Sequence, residues 1–394
     1  MSGSIPVDGH VDGPGRLPRL DSLTGLRWWA AFGVFVFHMR IFAPVPGLNA
    51  FAPFGNFGVA FFFVLSGFVL TYSSFGRETT VRNFYWRRFA RIWPAHMAAL
   101  LLAIPIFYSL DPDPSQWWVK PFSLGVLLLS VVLLQGWSHD AVIHYSGNPA
   151  AWTLTVEAFF YALHPWISRL TRRLGSTGAV VALVGVLAVM FGHQVLLVTQ
   201  PEGWWSSIPT PVARLGEFVA GMLVARAVIS GVRIRVSPWW GYGLMAGYLG
   251  WLVLARRQGR TGVLAEWSAH LTAPIIITLC VLIIFAAAMQ DIAGRPSFQR
   301  HPVMVRLGAW SFAFYLVHAT VMYAFTSAFG QQPPAYANLL WYGPVLGVAL
   351  VLAWLLYRLI EHPIEGRLRR WGDRRLTGTA RARHEETRAT TDQI

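Results

Sequence analysis

The sequence predicts an all-α membrane protein, a polytopic bundle of about ten transmembrane helices with one short re-entrant or interfacial segment. Hydrophobic residues make up 55% of the 394 residues and charged residues only 13%, whereas soluble domains typically carry about 25% charged residues. The 19 Trp residues are of the type that membrane–water interfaces concentrate. These proportions exclude a soluble two-domain protein.

Ten apolar stretches are long enough to cross a hydrocarbon core of about 30 Å. They predict spans at 26–43, 57–75, 92–109, 152–168, 178–198, 212–229, 238–255, 269–289, 307–328 and 340–358.

The distribution of arginine predicts the orientation of these spans. Of the 32 basic residues, 26 lie in the six segments that share a side when both termini are cytoplasmic, as the positive-inside rule requires. The net charge of +14 is therefore attributed to topology and not to nucleic-acid binding. We expect a multi-pass protein of the plasma or inner membrane with both termini in the cytoplasm.

The segment 122–135 is too short for an ordinary span. Counting it as a crossing would also move Arg169, Arg172 and Arg173 to the outer side. It is therefore predicted to be re-entrant or interfacial. The domain limits predicted from composition are a disordered N-terminal tail at 1–20, a membrane domain at 21–366 and a basic cytosolic tail at 367–394.

The first span carries two ionisable residues, Arg27 and His38. An ionisable group at membrane depth is costly and marks function more often than not. Eleven residues separate the two, roughly 16 Å along a helix, so Arg27 is placed near the inner interface and His38 in the outer half. A neutral imidazole can accept a proton from a hydroxyl, which makes His38 a candidate catalytic base. The alternatives are a snorkelling anchor for Arg27 and a structural interhelical hydrogen bond for His38.

The fourth span enters from the outer side and places Glu157 at a depth similar to that of His38. A base and a carboxylate at one depth suggest that Glu157 orients His38. The alternative for Glu157 is an ion pair with Arg214 or another buried arginine. Glu217, three residues after Arg214, is predicted to pair with that arginine.

Arg88 and Arg91 form the tightest arginine pair on the inner side, and at i, i+3 they share one helix face. Paired guanidinium groups suit the phosphate oxygens of a nucleotide-bearing molecule. Topology alone would also place arginine here, so both interpretations remain open.

Ser311, Tyr315 and His318 form a polar stripe at i, i+4 and i+7 on the ninth span. Such a stripe on an apolar helix lines a substrate tunnel or supplies interhelical hydrogen bonds. Neither alternative is favoured by the spacing.

Five stretches together resemble the acyltransferase-3 family of integral membrane acyltransferases, which includes O-antigen acetylases and macrolide acyltransferases. They extend over nearly the whole chain in the family's order. The stretches are 20–27 (LDSLTGLR) with His38, 61–68 (FFFVLSGF), 88–94 (RFARIWP), 152–161 (WTLTVEAFFY) and 311–318 (SFAFYLVH).

The resemblance implies ten membrane helices and transfer of an acyl group from cytosolic acyl-CoA to a hydroxyl of a sugar-containing acceptor, an exported glycan or a macrolide-type natural product. By the same resemblance, His38 takes the catalytic role and Glu157 the position of the family's acidic residue. The coenzyme is expected to be held by Arg27, Arg88 and Arg91. Residues assigned to substrate binding are Trp152, Tyr161, Ser311, Tyr315 and His318.

No permanently bound cofactor and no metal are expected. The single cysteine, Cys280, lies inside an apolar run and excludes an internal disulfide and a cysteine-based metal site. The alternative function is a proton-coupled secondary transporter or flippase, because buried His and Glu can relay protons. No internal repeat or pair of broken helices at corresponding positions supports it.

Overall fold

A computed structural model describes residues 17–76, 79–259 and 262–377. Ten long helices dominate the part of the chain that it describes. They are α1 (Asp21–Phe42), α2 (Gly58–Ser74), α3 (Val81–Phe107), α4 (Trp152–Thr171), α5 (Ser176–Thr199), α6 (Leu215–Ile229), α7 (Pro238–Arg257), α8 (Thr272–Ile292), α9 (Pro302–Phe329) and α10 (Leu339–Leu356).

Each of these helices coincides with one of the ten predicted spans, which confirms an all-α membrane bundle. Six of the helical stretches described are both long enough and apolar enough to cross a membrane by themselves, those containing α2, α3, α5, α8, α9 and α10. The other four depart from that criterion for visible reasons. For example, α1 carries Asp21, Arg27 and Arg40, and α6 has only 15 residues, about 22 Å at the helical rise.

The surface of α5 supports the membrane assignment. Ala179 is its one buried residue, and Val181, Val184 and Val189 are 61–72% exposed. A continuous apolar face of this size is costly in water, whereas it is favourable against lipid tails. Helix α5 therefore lies at the periphery of the bundle.

The segment 122–135 does not cross the membrane. Its one α-helix, Leu124–Val131, has 8 residues and is about 12 Å long, which agrees with the predicted shortness; its re-entrant or interfacial position stays a prediction. Two short parallel strands, β1 (Tyr108–Ser109) and β2 (Lys120–Pro121), join its start to the end of α3. The Gly147 N–H donates to Tyr108 Oη at 2.8 Å and fixes the other end of this region.

The bundle is held by close helix crossings at glycine. Helix α2 packs most extensively on α6, and α1 on α9. A methyl group added at Gly67 would meet the carbonyl oxygen of Phe218, and one added at Gly221 would meet that of Val64. Small residues of this kind let membrane helices approach backbone to backbone, which explains the glycine in the 61–68 stretch.

Replacing Gly67 by alanine is expected to separate α2 from α6 and to lower the yield of folded protein sharply. The added carbon has no space against the Phe218 carbonyl, a backbone group that cannot rotate away. Monodispersity and melting temperature in detergent would measure the effect. Gly185→Ala on α5, where nothing lies near the added carbon, is the matched control. A Gly67→Ala protein as stable as this control would contradict the proposed crossing.

After α10 the chain continues through a turn at Tyr357–Glu361 into helix α11 (His362–Gly372) and a last turn at Asp373–Thr377. Helix α11 packs on the inner half of α3. The described start of the region predicted as a solvated tail is thus helical and packed on the bundle, while 378–394 lie outside the described residues. The predicted N-terminal tail lies outside them up to residue 16, and Pro18 accepts a hydrogen bond from Tyr72.

Candidate active site

A cavity of about 170 Å³ lies between α1, α2, α3, α4 and α9. One face of α2 forms its long wall from Val59 to Leu70, a distance of about 16 Å at the helical rise. The cavity therefore extends from the inner arginines towards the outer half of the bundle. Its polar lining consists of Arg27, Ser66, Arg88, Arg91, Thr153, Glu157, Tyr161, Ser311 and Tyr315.

Arg91 reaches the cavity, but its charge is matched by carboxylates. It donates to Glu361 Oε1 at 2.7 Å and to Glu365 Oε2 at 2.9 Å, and Glu365 also pairs with Arg369 at 2.8 Å. The Glu361 side chain is fully buried, so it requires a cation beside it. Arg91 therefore connects α3 to the region around α11, and it is not a free partner for phosphate.

Arg88 is the arginine of this pair that has no carboxylate partner among the described residues. Its guanidinium lies 5.7 Å from the ring centre of Tyr161 and 5.9 Å from that of Phe84, within cation–π range. Its Nε is buried and has no hydrogen-bond partner in the part of the chain described. Both predicted arginines therefore reach one cavity. Arg91 is paired with carboxylates, whereas Arg88 has no carboxylate partner in the described ranges.

Glu157 is held by hydroxyl groups. It accepts hydrogen bonds from Ser66 Oγ at 3.3 Å and from Tyr161 Oη, and all three residues line the cavity. Glu157 makes neither the expected hydrogen bond to His38 nor the alternative ion pair with Arg214 within the described ranges. The similar depth assigned to Glu157 and His38 does not make them neighbours, because depth does not determine the direction in which a side chain points around the helix axis.

The nearest titratable neighbour of His38 is a second histidine. The ring centres of His38 and His318 lie 5.1 Å apart, and neither ring is among the groups that line the cavity. Tyr315 lies between His318 and the cavity, because it lines the cavity and its ring centre is 5.6 Å from that of His318. His318 therefore lies behind this part of the cavity wall, and His38 lies beside His318.

Only part of the polar stripe on α9 faces the cavity. Ser311 and Tyr315 line it, but Ser311 Oγ already donates to Gly308 O at 2.7 Å. His318 is fully buried. Trp152 does not line the cavity; it packs against His144 and Phe63, and the neighbouring Thr153 takes the position in the lining.

Arg27 lines the cavity with Arg91 and Glu157, so the charged residue of the first span does face the protein interior. The predicted pairing of Glu217 is confirmed, because Arg214 Nη2 donates to Glu217 Oε2 at 3.1 Å. Neither Arg214 nor Glu217 lines the cavity.

Four polar residues of the site were not identified from the sequence: Ser66, Thr153, Glu361 and Glu365. Ser66 lies in the 61–68 stretch that contributes to the family resemblance, but the sequence analysis assigned no role to its side chain. Glu361 and Glu365 are four residues apart, just after the tenth span. Two carboxylates at i, i+4 on the arginine-rich side are the signal that would have predicted partners for Arg91.

No cluster of three or more His, Cys, Asp or Glu residues with metal-binding geometry occurs among the described residues. His139 and His144 are each bonded to backbone carbonyl oxygens, at 3.2 and 3.0 Å. The expectation that no metal is required stays a prediction.

The fold and the site define a multi-pass membrane enzyme with a polar cavity enclosed by apolar helices. The chain matches the acyltransferase domain family over residues 20–358, and it belongs to that family of acyltransferases. It is 33% identical to Acyltransferase MdmB of Streptomyces mycarofaciens, over 93% of this chain and 96% of that protein. It is 25% identical to Nodulation protein 10 of Rhizobium leguminosarum bv. viciae, over 78% and 81% of the two chains. No solved structure matches the chain.

Proposed function

We propose that this acyltransferase moves an acyl group from cytosolic acyl-CoA to a hydroxyl of a sugar-containing acceptor, either an exported glycan or a macrolide-type natural product. The observation that carries the proposal is the elongated cavity whose lining includes Arg88 on α3 and Tyr315 on α9. An acyl-pantetheine arm needs a passage of this kind to bring a thioester from the inner face to a base in the bundle. Family membership sets aside the transporter alternative.

In the proposed arrangement, Arg88 binds the phosphate groups of coenzyme A. A guanidinium without a carboxylate partner forms charge-assisted hydrogen bonds with phosphate at the lowest cost. Arg91 keeps the inner end of α3 in place through Glu361 and Glu365. Arg27 adds positive charge along the path of the arm.

The proposed reaction is direct transfer. His38 removes the proton of the acceptor hydroxyl while its oxygen attacks the thioester carbonyl. The carbon–sulfur bond then breaks, and the thiolate of coenzyme A takes the proton from the imidazolium. A hydroxyl group of the cavity lining stabilises the oxyanion in this proposal; Tyr161 and Ser311 already donate within the protein, which leaves Tyr315 as the best-placed donor.

A covalent acyl-enzyme on cysteine is not part of this proposal. Cys280 is the chain's one cysteine, it is buried, and it does not line the cavity. Transfer is therefore expected to continue in a Cys280→Ser protein.

The proposed function is tested by measuring free coenzyme A with a thiol reagent. The purified protein in lipid vesicles would receive acetyl-, propionyl- or longer acyl-CoA together with glycan or macrolide acceptors. We expect acceptor-dependent thiol release and an acceptor whose mass increases by the acyl group. A folded protein that binds no acyl-CoA and releases no thiol with any donor and acceptor would overturn the proposal.

We also propose that the protein lies in the cell membrane with both termini in the cytoplasm. Lys120, the only lysine in the sequence, lies outside the spans in the segment between α3 and α4. Burial lowers the pKa of Lys120 from 10.5 to about 8, although Asp140 acts in the opposite direction. Neutral amine, the reactive form, therefore increases as the pH rises through about 8, where an ordinary lysine stays charged.

At pH 8.5 a membrane-impermeant amine reagent applied to intact cells is expected to label Lys120, and labelling should decrease at pH 7. The modified peptide would be measured by mass spectrometry. Lys120→Arg is the control, since it keeps the positive charge and removes the reactive amine. Labelling only after the membrane is opened would contradict the proposed orientation.

A further inference from the structure

His38 and His318 each carry a buried ring nitrogen that has no hydrogen-bond partner among the described residues: Nδ1 of His38 and Nε2 of His318. Buried polar atoms are nearly always paired, so each exception requires an explanation. Two exceptions on rings whose centres lie 5.1 Å apart point to one shared cause. The two residues lie on α1 and α9, which pack extensively on each other.

The surroundings of His318 determine its tautomer. Its Nδ1 lies 2.7 Å from the carbonyl oxygen of Tyr315 and 3.3 Å from that of Phe314. A carbonyl oxygen only accepts, so Nδ1 carries the hydrogen and donates it. In the neutral ring, Nε2 then holds an unshared lone pair. The ring is also stacked on Phe314, with planes 17° apart, so His318 is fully buried and held in one orientation.

His38 differs from His318 because its ring is only partly buried and its Nδ1 has no partner within the described ranges. The ring of Phe37 also contacts that of His38, and it offers no hydrogen-bonding group. A base with a free ring needs a fixed partner to hold one tautomer, the role that a carboxylate has in other hydrolytic and transfer enzymes. Glu157, which was expected in that role, is occupied by Ser66 and Tyr161.

We propose that His318 is the positioning residue for His38: its Nε2 accepts a hydrogen bond from one nitrogen of His38 during the reaction and leaves the other nitrogen free to take the acceptor's proton. The inference rests on the proposed function, in which His38 is the base. In the structure the two rings are not hydrogen-bonded, so the proposal requires the His38 ring to turn until one of its nitrogens meets Nε2 of His318. A neutral imidazole as the partner suits a site without a carboxylate beside the base, because no second buried charge is required.

Two amides distinguish the nitrogens of His318. Asparagine places its amide near the position of Nδ1 and loses the Nε2 acceptor, whereas glutamine places an oxygen near the position of Nε2. We expect His318→Asn to lower kcat by about 10-fold or more, short of the 10²–10⁴-fold expected for loss of the base itself. KM for acyl-CoA should not change. His318→Gln should recover most of kcat, and both variants should melt at similar temperatures.

A double variant separates positioning from a structural role. If His318 acts through His38, adding His318→Asn to His38→Ala causes no further loss of the residual transfer rate. Equal losses in the Asn and Gln variants, or losses that multiply in the double variant, would overturn the inference while His38→Ala still confirmed the base. An active His38→Ala protein would instead overturn the proposed base itself.

Discussion

Replacing His38 by alanine is expected to lower acyl transfer by about 10²–10⁴-fold, the range that a positioned general base contributes. The loss should appear in kcat, because the cavity proposed to receive the donor is lined by other residues. Acceptor-dependent release of coenzyme A thiol measures it. The protein should still fold, since His38 is only partly buried and its Nδ1 has no hydrogen-bond partner in the part of the chain that the structure describes.

His193→Ala is the matched control for this experiment. His193 lies on the peripheral helix α5 and contacts the carbonyl oxygen of Trp205 at 3.3 Å, outside the lining of the cavity. Its replacement should leave transfer unchanged. Undiminished turnover in a folded His38→Ala protein would show that another group accepts the proton.

Replacing Arg91 by alanine is expected to lower stability by about 3–5 kcal/mol, the usual cost of leaving a buried charge without its partner. Glu361 is fully buried and forms an ion pair with Arg91, which also pairs with Glu365. Arg88→Ala removes no ion pair among the described residues, so it should raise KM for acyl-CoA and leave the melting temperature nearly unchanged. Thermal unfolding and donor titration of the two variants would separate these effects.

Two further variants test the reason for the difference. Arg87 lies on the same helix as Arg91 and forms a partly exposed ion pair with Asp373. Arg87→Ala removes this pair, and such pairs contribute about 0–1 kcal/mol. Combining Arg91→Ala with Glu361→Gln removes the uncompensated buried charge and should recover much of the stability, because Glu365 keeps its ion pair with Arg369. Equal KM effects from Arg88→Ala and Arg91→Ala, without loss of stability, would show that both arginines bind phosphate.

The spans were predictable because a bilayer imposes a length and a composition on each helix. Stretches such as 178–198 and 269–289 have no other stable arrangement, and they coincide with α5 and α8. The short segment 122–135 was predictable for the same reason, since eight helical residues cannot cross the hydrocarbon core. Arg27 was marked as an ionisable residue of the first span, with a snorkelling anchor as the alternative, and it lines the cavity.

The partners of the polar residues were not predictable in the same way. Glu157 and His38 were assigned similar depth, but Glu157 turns towards Ser66 and Tyr161, while His38 faces His318. The position of a residue along a helix follows from its number in the sequence. The rotation of the whole helix about its axis is set by packing against neighbouring helices. The glycine crossing of α2 and α6 is one such contact.

The sequence by itself determined that the chain is a helical membrane protein, that its helices lie at ten definite places, and that Arg27, His38, Arg88, Arg91 and Glu157 are the polar residues to examine. Only the tertiary structure decided that Arg91 is neutralised by Glu361 and Glu365 while Arg88 is not, and that His318 is the neighbour of His38. The reason is physical: crossing a membrane depends on local hydrophobicity, which a sequence shows directly. Pairing depends on which faces of distant helices meet, and that is settled only when the whole bundle packs.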